Sequence, residues 1–77
     1  MLANEDKRVL GEMTKQLESY AQALEEMVDF YRAAFDNLSE TEQDHTEGEY
    51  LSSLVSDLEQ VRDDMDTVIE TVKALVK

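Results

Sequence analysis

The sequence predicts an all-α protein, a coiled-coil-like antiparallel helical hairpin that dimerises into a four-helix bundle. Apolar residues recur at alternating steps of three and four in two long segments, which is the spacing of a heptad repeat. The 77 residues include no proline and only two glycines, and no run alternates apolar and polar residues as a strand would. We therefore treat residues 1–77 as a single helical-hairpin domain.

The first helix is predicted at about residues 5–38. Asn4 is placed to cap its first turn, where Glu5 and Asp6 face the positive end of the helix dipole. The apolar seam steps by three and four without a break through Leu10, Met13, Leu17, Tyr20, Leu24, Met27, Tyr31, Ala34 and Leu38. This seam predicts the face that packs on the second helix.

A polar linker, at about residues 39–46, joins the two helices. Ser39 and Glu42 have the spacing of a capping box, which predicts a single helical turn inside the linker. Thr46 and Glu49 have the same spacing and predict a capping box at the start of the second helix. A connection this short joins antiparallel neighbours.

The second helix is predicted at about residues 47–76. Its seam repeats the pattern of the first through Leu51, Leu54, Leu58, Val61, Met65, Val68, Val72 and Leu75. Lys73 and Lys77 lie where the negative end of the helix dipole favours cations.

Apolar side chains also flank both seams, so the apolar stripes are wider than one partner helix can cover. The chain has no cysteine, which excludes disulfides and thiolate metal sites and leaves oligomerisation as the route to a larger core. Pairing two hairpins covers the flanks with no new sequence, whereas a monomer that docks its stripe on another protein is the alternative. The predicted oligomer interface consists of Tyr20, Leu24, Met27, Val28, Phe30, Tyr31, Phe35, Val55 and Ile69.

The chain is strongly acidic, with nineteen Asp and Glu residues against seven Lys and Arg and a net charge of −12. Phosphates and anionic lipids would repel it, so neither nucleic acid nor a membrane is a predicted partner. A basic host protein is the electrostatically matched partner besides a second copy. The acidic start has no apolar signal-peptide core, and no run is long enough to span a bilayer, so we expect a cytoplasmic protein.

Candidate catalytic and metal-binding residues are sparse. His45 lies among Asp44, Glu47 and Glu49, but no second histidine or cysteine completes a metal-binding set, so a solvated loop histidine is the favoured interpretation. The chain contains no glycine-rich phosphate loop and no nucleophile elbow. The sequence therefore predicts a non-enzymatic protein with no catalytic residue, no metal and no cofactor.

The densest acidic run lies in the second helix and consists of Asp57, Glu59, Asp63, Asp64 and Asp66. Rows of fixed negative charge on a rigid helix can imitate phosphates and occupy a basic groove on another protein. The favoured interpretation is simpler: these carboxylates keep the bundle soluble. We expect a non-enzymatic protein–protein interaction or scaffolding module, and the alternative is an acidic inhibitor, of the nucleic-acid-mimic type, that blocks a basic groove on a host defence or nucleic-acid-binding protein.

The turn region resembles that of a known group of proteins. Residues 34–43 read Ala-Phe-Asp-Asn-Leu-Ser-Glu-Thr-Glu-Gln, and Gly-Glu follows at residues 48–49. This stretch resembles small acidic helical proteins of bacteriophages and prophages, many of which read aromatic-Asp-Asn-Leu/Met-Pro-Glu-Ser-Leu-Gln before Gly-Glu. The chain departs at Ser39, where proline is usual, and at residues 41–42, where Ser-Leu is usual. The resemblance implies a phage or mobile-element accessory protein of unassigned function, in the host cytoplasm, and no site residues.

Overall fold

A computed structural model describes residues 2–77; Met1, the first residue of the predicted domain, lies outside the described residues. Three helices follow one another: α1 (Asn4–Asp36), α2 (Glu40–Gln43) and α3 (Thr46–Leu75). No strand occurs in residues 2–77, so the all-α prediction is confirmed. The long helices pack into a hairpin of 57 × 16 × 14 Å, and its radius of gyration, 17.3 Å, exceeds the roughly 11.5 Å of a compact chain of this length.

α1 begins one residue earlier and ends two residues earlier than the sequence indicates. Its N-cap is Ala3, which makes no side-chain hydrogen bond, so the capping role predicted for Asn4 is wrong: Asn4 is already the first helical residue. Glu5 and Asp6 lie in the first turn, where their charges complement the helix dipole. At the other end, the Asn37 amide donates to the Ala33 carbonyl oxygen at 3.0 Å.

The predicted turn inside the linker is present as α2, and its capping box is confirmed. The Glu42 amide donates to Ser39 Oγ at 3.2 Å, and the Ser39 amide donates to Glu42 Oε1 at 3.0 Å. The hydrogen bond from the Ser39 amide, followed by the contact with the Ser39 side chain, lowers the pKa of the Glu42 carboxyl from its ordinary value.

α3 starts without the second capping box. Its N-cap is His45, and the Glu49 amide donates to the His45 carbonyl oxygen at 2.9 Å, as in any continuing α-helix. The predicted Thr46–Glu49 box is therefore wrong, because Thr46 is already a helical residue and no longer precedes the helix. Lys73 lies in the last turn of α3, as the dipole argument predicts.

Two residues hold the chain reversal together. The Gln43 side-chain amide donates to the carbonyl oxygens of Phe35 and Leu38, at 3.2 and 3.3 Å, and so satisfies groups that the end of α1 leaves open. Gly48 is buried where α3 crosses α2, and a Cβ atom there would lie 2.3 Å from the Gln43 carbonyl oxygen. Only glycine allows this approach of the two backbones.

The long helices meet along a different seam from the predicted one. Both seams share the row through Leu10, Leu17, Leu24 and Tyr31 in α1 and the row through Leu51, Leu58, Met65 and Val72 in α3. The second row follows each of these by four residues and contains Thr14, Ala21, Val28 and Phe35 in α1 and Val55, Arg62, Ile69 and Val76 in α3, with Gly48 before them. In the predicted seam, the second row instead follows the shared row by three residues. It contains Met13, Tyr20, Met27, Ala34, Leu54, Val61, Val68 and Leu75. All five buried residues among 2–77 belong to the observed second row, so the predicted seam is wrong.

The physical reason for this register lies in its polar members. Thr14 is buried, but its hydroxyl donates to the Leu10 carbonyl oxygen at 2.9 Å and is therefore satisfied. Arg62 packs its stem into the seam and carries its guanidinium to the edge, where it binds Glu25. In this register, charged residues of both helices lie along one edge of the seam, where three ion pairs form between α1 and α3.

Candidate protein interaction surface

The heptad register decides which side chains share a face of the hairpin. We label the observed second row a, which includes Val28 and Val55, and the shared row d, which includes Leu24 and Leu58. In an antiparallel pair with a and d at the seam, row e of one helix lies beside row e of the other, and row g lies beside row g. The hairpin therefore has an e edge and a g edge, each built by both long helices.

The e edge is charged and contains three ion pairs between α1 and α3, which we call the ion-pair edge. Lys73 Nζ lies 3.3 Å from Glu18 Oε1, and Arg62 Nη1 lies 3.0 Å from Glu25 Oε2. Arg32 pairs with Glu59 in the same way. Because most of these side chains are substantially exposed, solvent screens each pair, and the pairs contribute little to stability.

Arg62 is the most buried member of the ion-pair edge, with its side chain 22% exposed. Its guanidinium donates to Asp63 Oδ1 and to Glu25 Oε2, and these hydrogen bonds raise the pKa of Arg62 above its ordinary value, the bond to Asp63 contributing most. Sequence reasoning missed this residue because a search for apolar periodicity passes over an arginine. The signal was present, since Arg62 lies seven residues from both Val55 and Ile69.

The opposite side of the hairpin is apolar. Nine large hydrophobic side chains are exposed in the described chain, and all nine occupy row g or the adjacent row c. We call this set the apolar face: Val9, Met13, Tyr20, Met27, Phe30, Tyr50, Val61, Val68 and Leu75. Phe30 is the extreme case, with 68% of its surface exposed while its ring meets that of Tyr31 edge-on at 5.1 Å between centroids.

The structure divides the predicted oligomer-interface residues between this face and the hairpin interior. Tyr20, Met27 and Phe30 lie on the apolar face, whereas Leu24, Tyr31 and Phe35 are only partly exposed. Val28, Val55 and Ile69 are buried inside the hairpin, at 0%, 9% and 7% exposure. These three residues belong to the seam row that the prediction placed on the flank, so in this hairpin they pack between α1 and α3 and are not exposed to a second copy.

The predicted acidic face does not form one surface. Its five members occupy three rows around α3: Asp57 and Asp64 in row c, Glu59 and Asp66 in row e, and Asp63 in row b. Two of them are already engaged, because Glu59 pairs with Arg32 and Asp63 pairs with Arg62.

The hairpin exposes more surface than a folded monomer of its mass. A monomer of 8.8 kDa is expected to expose about 4,800 Å², whereas the hairpin exposes 5745 Å². The excess, about 1,000 Å², is close to the roughly 800 Å² that each partner buries in a standard protein–protein interface. One further layer packed on the apolar face would therefore bring the chain to an ordinary degree of burial.

Features of other functional classes are few. Within residues 2–77, no three His, Cys, Asp or Glu side chains are grouped so that they could hold a metal ion, and His45 is exposed in the turn. None of the helices between residues 2 and 77 combines the length and the apolar content needed to cross a membrane. The grooves along the hairpin are open, and the one beside Arg62 and Lys73 is bordered by Glu18, Glu25 and Asp66.

What the geometry offers is thus a rod with one charged edge and one apolar face, and the apolar face is the candidate site. Comparison of the chain with protein-family models, with curated proteins and with solved structures gave no match.

Proposed function

We propose that this protein is a non-enzymatic protein–protein interaction module, a scaffolding element whose apolar face binds a second copy of the chain to form a four-helix bundle. One observation carries the proposal: every exposed large hydrophobic side chain among residues 2–77 lies on the same face. Single exposed hydrophobic residues are ordinary, but a continuous apolar patch on a soluble protein marks an interaction site.

A second copy is the occupant that the area supports. The excess exposed surface of about 1,000 Å² matches one half of a standard interface, and twofold pairing covers the same patch on both copies. Rows d and g of each hairpin would then form the bundle core, and the half-buried side chains of Leu24 and Tyr31 would complete their burial.

The test is a pair of neighbouring substitutions with the same change of charge. Val68→Lys places a cation on the apolar face, whereas Thr67→Lys places it in row f, on the outer surface. Multi-angle light scattering after size exclusion should give twice the 8.8 kDa chain mass for the wild type and for Thr67→Lys. Val68→Lys should weaken pairing at least about tenfold, the effect of 1.4 kcal/mol, because its ammonium must be desolvated.

Either of two results would contradict this proposal. One is a wild-type chain that stays at 8.8 kDa up to high micromolar concentration. The other is equal pairing by the Val68→Lys and Thr67→Lys variants, since a charge on the interface cannot leave an apolar contact unchanged.

The second candidate, an acidic inhibitor of a basic host protein, is favoured by one observation, the concentration of acidic residues around the turn. It is less well supported than self-association, because the predicted acidic residues lie in three rows and two of them are ion-paired. An inhibitor of this kind would compete with duplex DNA for a basic DNA-binding protein, and added salt would weaken that competition. Changing the turn acids Glu40, Asp44, Glu47 and Glu49 to Gln or Asn should then abolish competition; unchanged competition would reject this candidate.

The origin of the chain as a phage or mobile-element accessory protein, and its place in the host cytoplasm, stay part of this proposal. They are supported by the resemblance of the turn sequence at residues 34–43 and 48–49.

A further inference from the structure

The charge of the hairpin is concentrated at one end. A division of the rod at the ion pair between Arg62 and Glu25 separates residues 25–61, which we call the turn half, from the remaining residues. This half contains eleven acidic residues and one basic residue, Arg32, for a net charge of −10. The other half contains eight acidic and six basic residues, for a net charge of −2. The rod is therefore electrically polar along its 57 Å length.

Two twofold arrangements bring the apolar faces of two hairpins together. In one, the axis runs along the helices, the two turns lie at the same end, and α1 packs against α3 of the second copy. In the other, the axis crosses the helices, the turns lie at opposite ends, and α1 packs against α1 of the second copy. Both keep neighbouring helices antiparallel, so helix packing alone does not choose between them.

Electrostatic repulsion between the facing halves of the two copies does favour one of these two arrangements. Turns at the same end set a charge of −10 beside another of −10, whereas turns at opposite ends set each −10 beside a −2. With turns at the same end, the product of the facing charges is about 100 at the acidic end. With turns at opposite ends, it is about 20 at each end, and the repulsion is correspondingly weaker. Screening over roughly 8–10 Å removes most of the interaction between distant ends, so the facing halves dominate the balance.

Resting on the proposed self-association, we propose that two copies pair through their apolar faces with their turns at opposite ends. The acidic turn of each copy, around α2, then lies beside the end of the other copy that holds Lys7, Arg8, Lys73 and Lys77. The arrangement has one electrostatic cost, because it brings Asp57 and Asp64 of the two copies near each other at the rim between the α3 helices. Two exposed like-charge pairs cost about 0.2–0.5 kcal/mol each, which is small beside the effect of the facing ends.

Distance measurement between spin labels tests the orientation directly. The full chain has no cysteine, so Thr41→Cys gives one nitroxide per copy at the turn and Gln22→Cys gives one near the middle of the rod. With turns at opposite ends, double electron–electron resonance on Thr41→Cys should give a separation near the 57 Å length of the hairpin. With turns at the same end, the separation would be about 20 Å, because packed helices lie about 10 Å apart.

The Gln22→Cys label is the matched control, since a mid-rod label gives a short distance in either orientation. A long Thr41→Cys distance with a short Gln22→Cys distance supports the proposal. Short distances from both labels overturn the orientation and leave self-association standing. An absence of dipolar coupling from both labels, with an 8.8 kDa mass by light scattering, overturns the proposed function together with the orientation.

Discussion

Val28→Ala is the sharpest test of the seam that the structure shows. Val28 is fully buried, at 0% exposure, in row a of α1. Removing two methyl groups loses about 1.6 kcal/mol of transfer free energy, at about 0.8 kcal/mol each. A residual cavity of roughly 50 Å³ would add about 1.2 kcal/mol. We therefore expect Val28→Ala to lower the free energy of unfolding by about 2–3 kcal/mol per chain.

The assay is urea unfolding followed by circular dichroism at several protein concentrations. Val68→Ala is the matched control, because it removes the same two methyl groups from a side chain that the hairpin leaves 48% exposed. At low protein concentration, where pairing contributes least, Val68→Ala should cost less than about 1 kcal/mol, whereas the loss from Val28→Ala should persist at every concentration. A loss below about 1 kcal/mol from Val28→Ala, or equal losses from the two variants, would refute the observed register.

Two further predictions concern the chain reversal and its titration. Gly48→Ala should destabilise the hairpin by about 1–3 kcal/mol in thermal unfolding, because its Cβ would lie 2.3 Å from a backbone oxygen of α2. Gly11→Ala is the control: its Cβ would meet open space, so it should stabilise α1 by up to about 1 kcal/mol. Since folding lowers the pKa of the Glu42 carboxyl, its stabilising contribution is complete above the ordinary pKa of a glutamate and is lost as pH falls through the lower folded pKa. Glu42→Gln should therefore lower the melting temperature at pH 7 but not at pH 2, and a larger effect from Glu40→Gln at pH 7 would contradict the capping role.

The fold class followed from the sequence, but the seam did not. Steps of three and four from Leu10 are satisfied by two registers, and the register with more apolar residues was the wrong one. The real seam admits Thr14, Gly48 and Arg62, and each has a reason that only three-dimensional contacts reveal: a satisfied hydroxyl, a close crossing of backbones and an ion pair at the edge. Counting apolar residues could not recover such a row.

The helix ends show the same limit at a smaller scale. The capping box of Ser39 and Glu42 was predictable, because both side chains act within one turn of the chain. Thr46 and Glu49 have the same spacing, yet they form no box, because the crossing of α3 over α2 starts the helix at Thr46 itself. For the candidate site, the sequence showed that the helices carry more aromatic and aliphatic residues than a single seam can bury. Which of those residues stay exposed depends on the register of the seam.

The side chain of Gln43 has a consequence for how the hairpin forms. By binding the carbonyl oxygens of Phe35 and Leu38, it closes a loop of fewer than ten residues, the least costly closure that the chain reversal offers. At the far end, Leu2 and Leu75 border the same cleft although they lie at opposite ends of the sequence, so bringing them together closes a much longer loop. Folding should therefore begin at the turn and extend along both long helices toward the open end of the hairpin. In pulse-labelling hydrogen exchange during refolding, amide protons beside the turn should then become protected first, and those at the open end of the hairpin last.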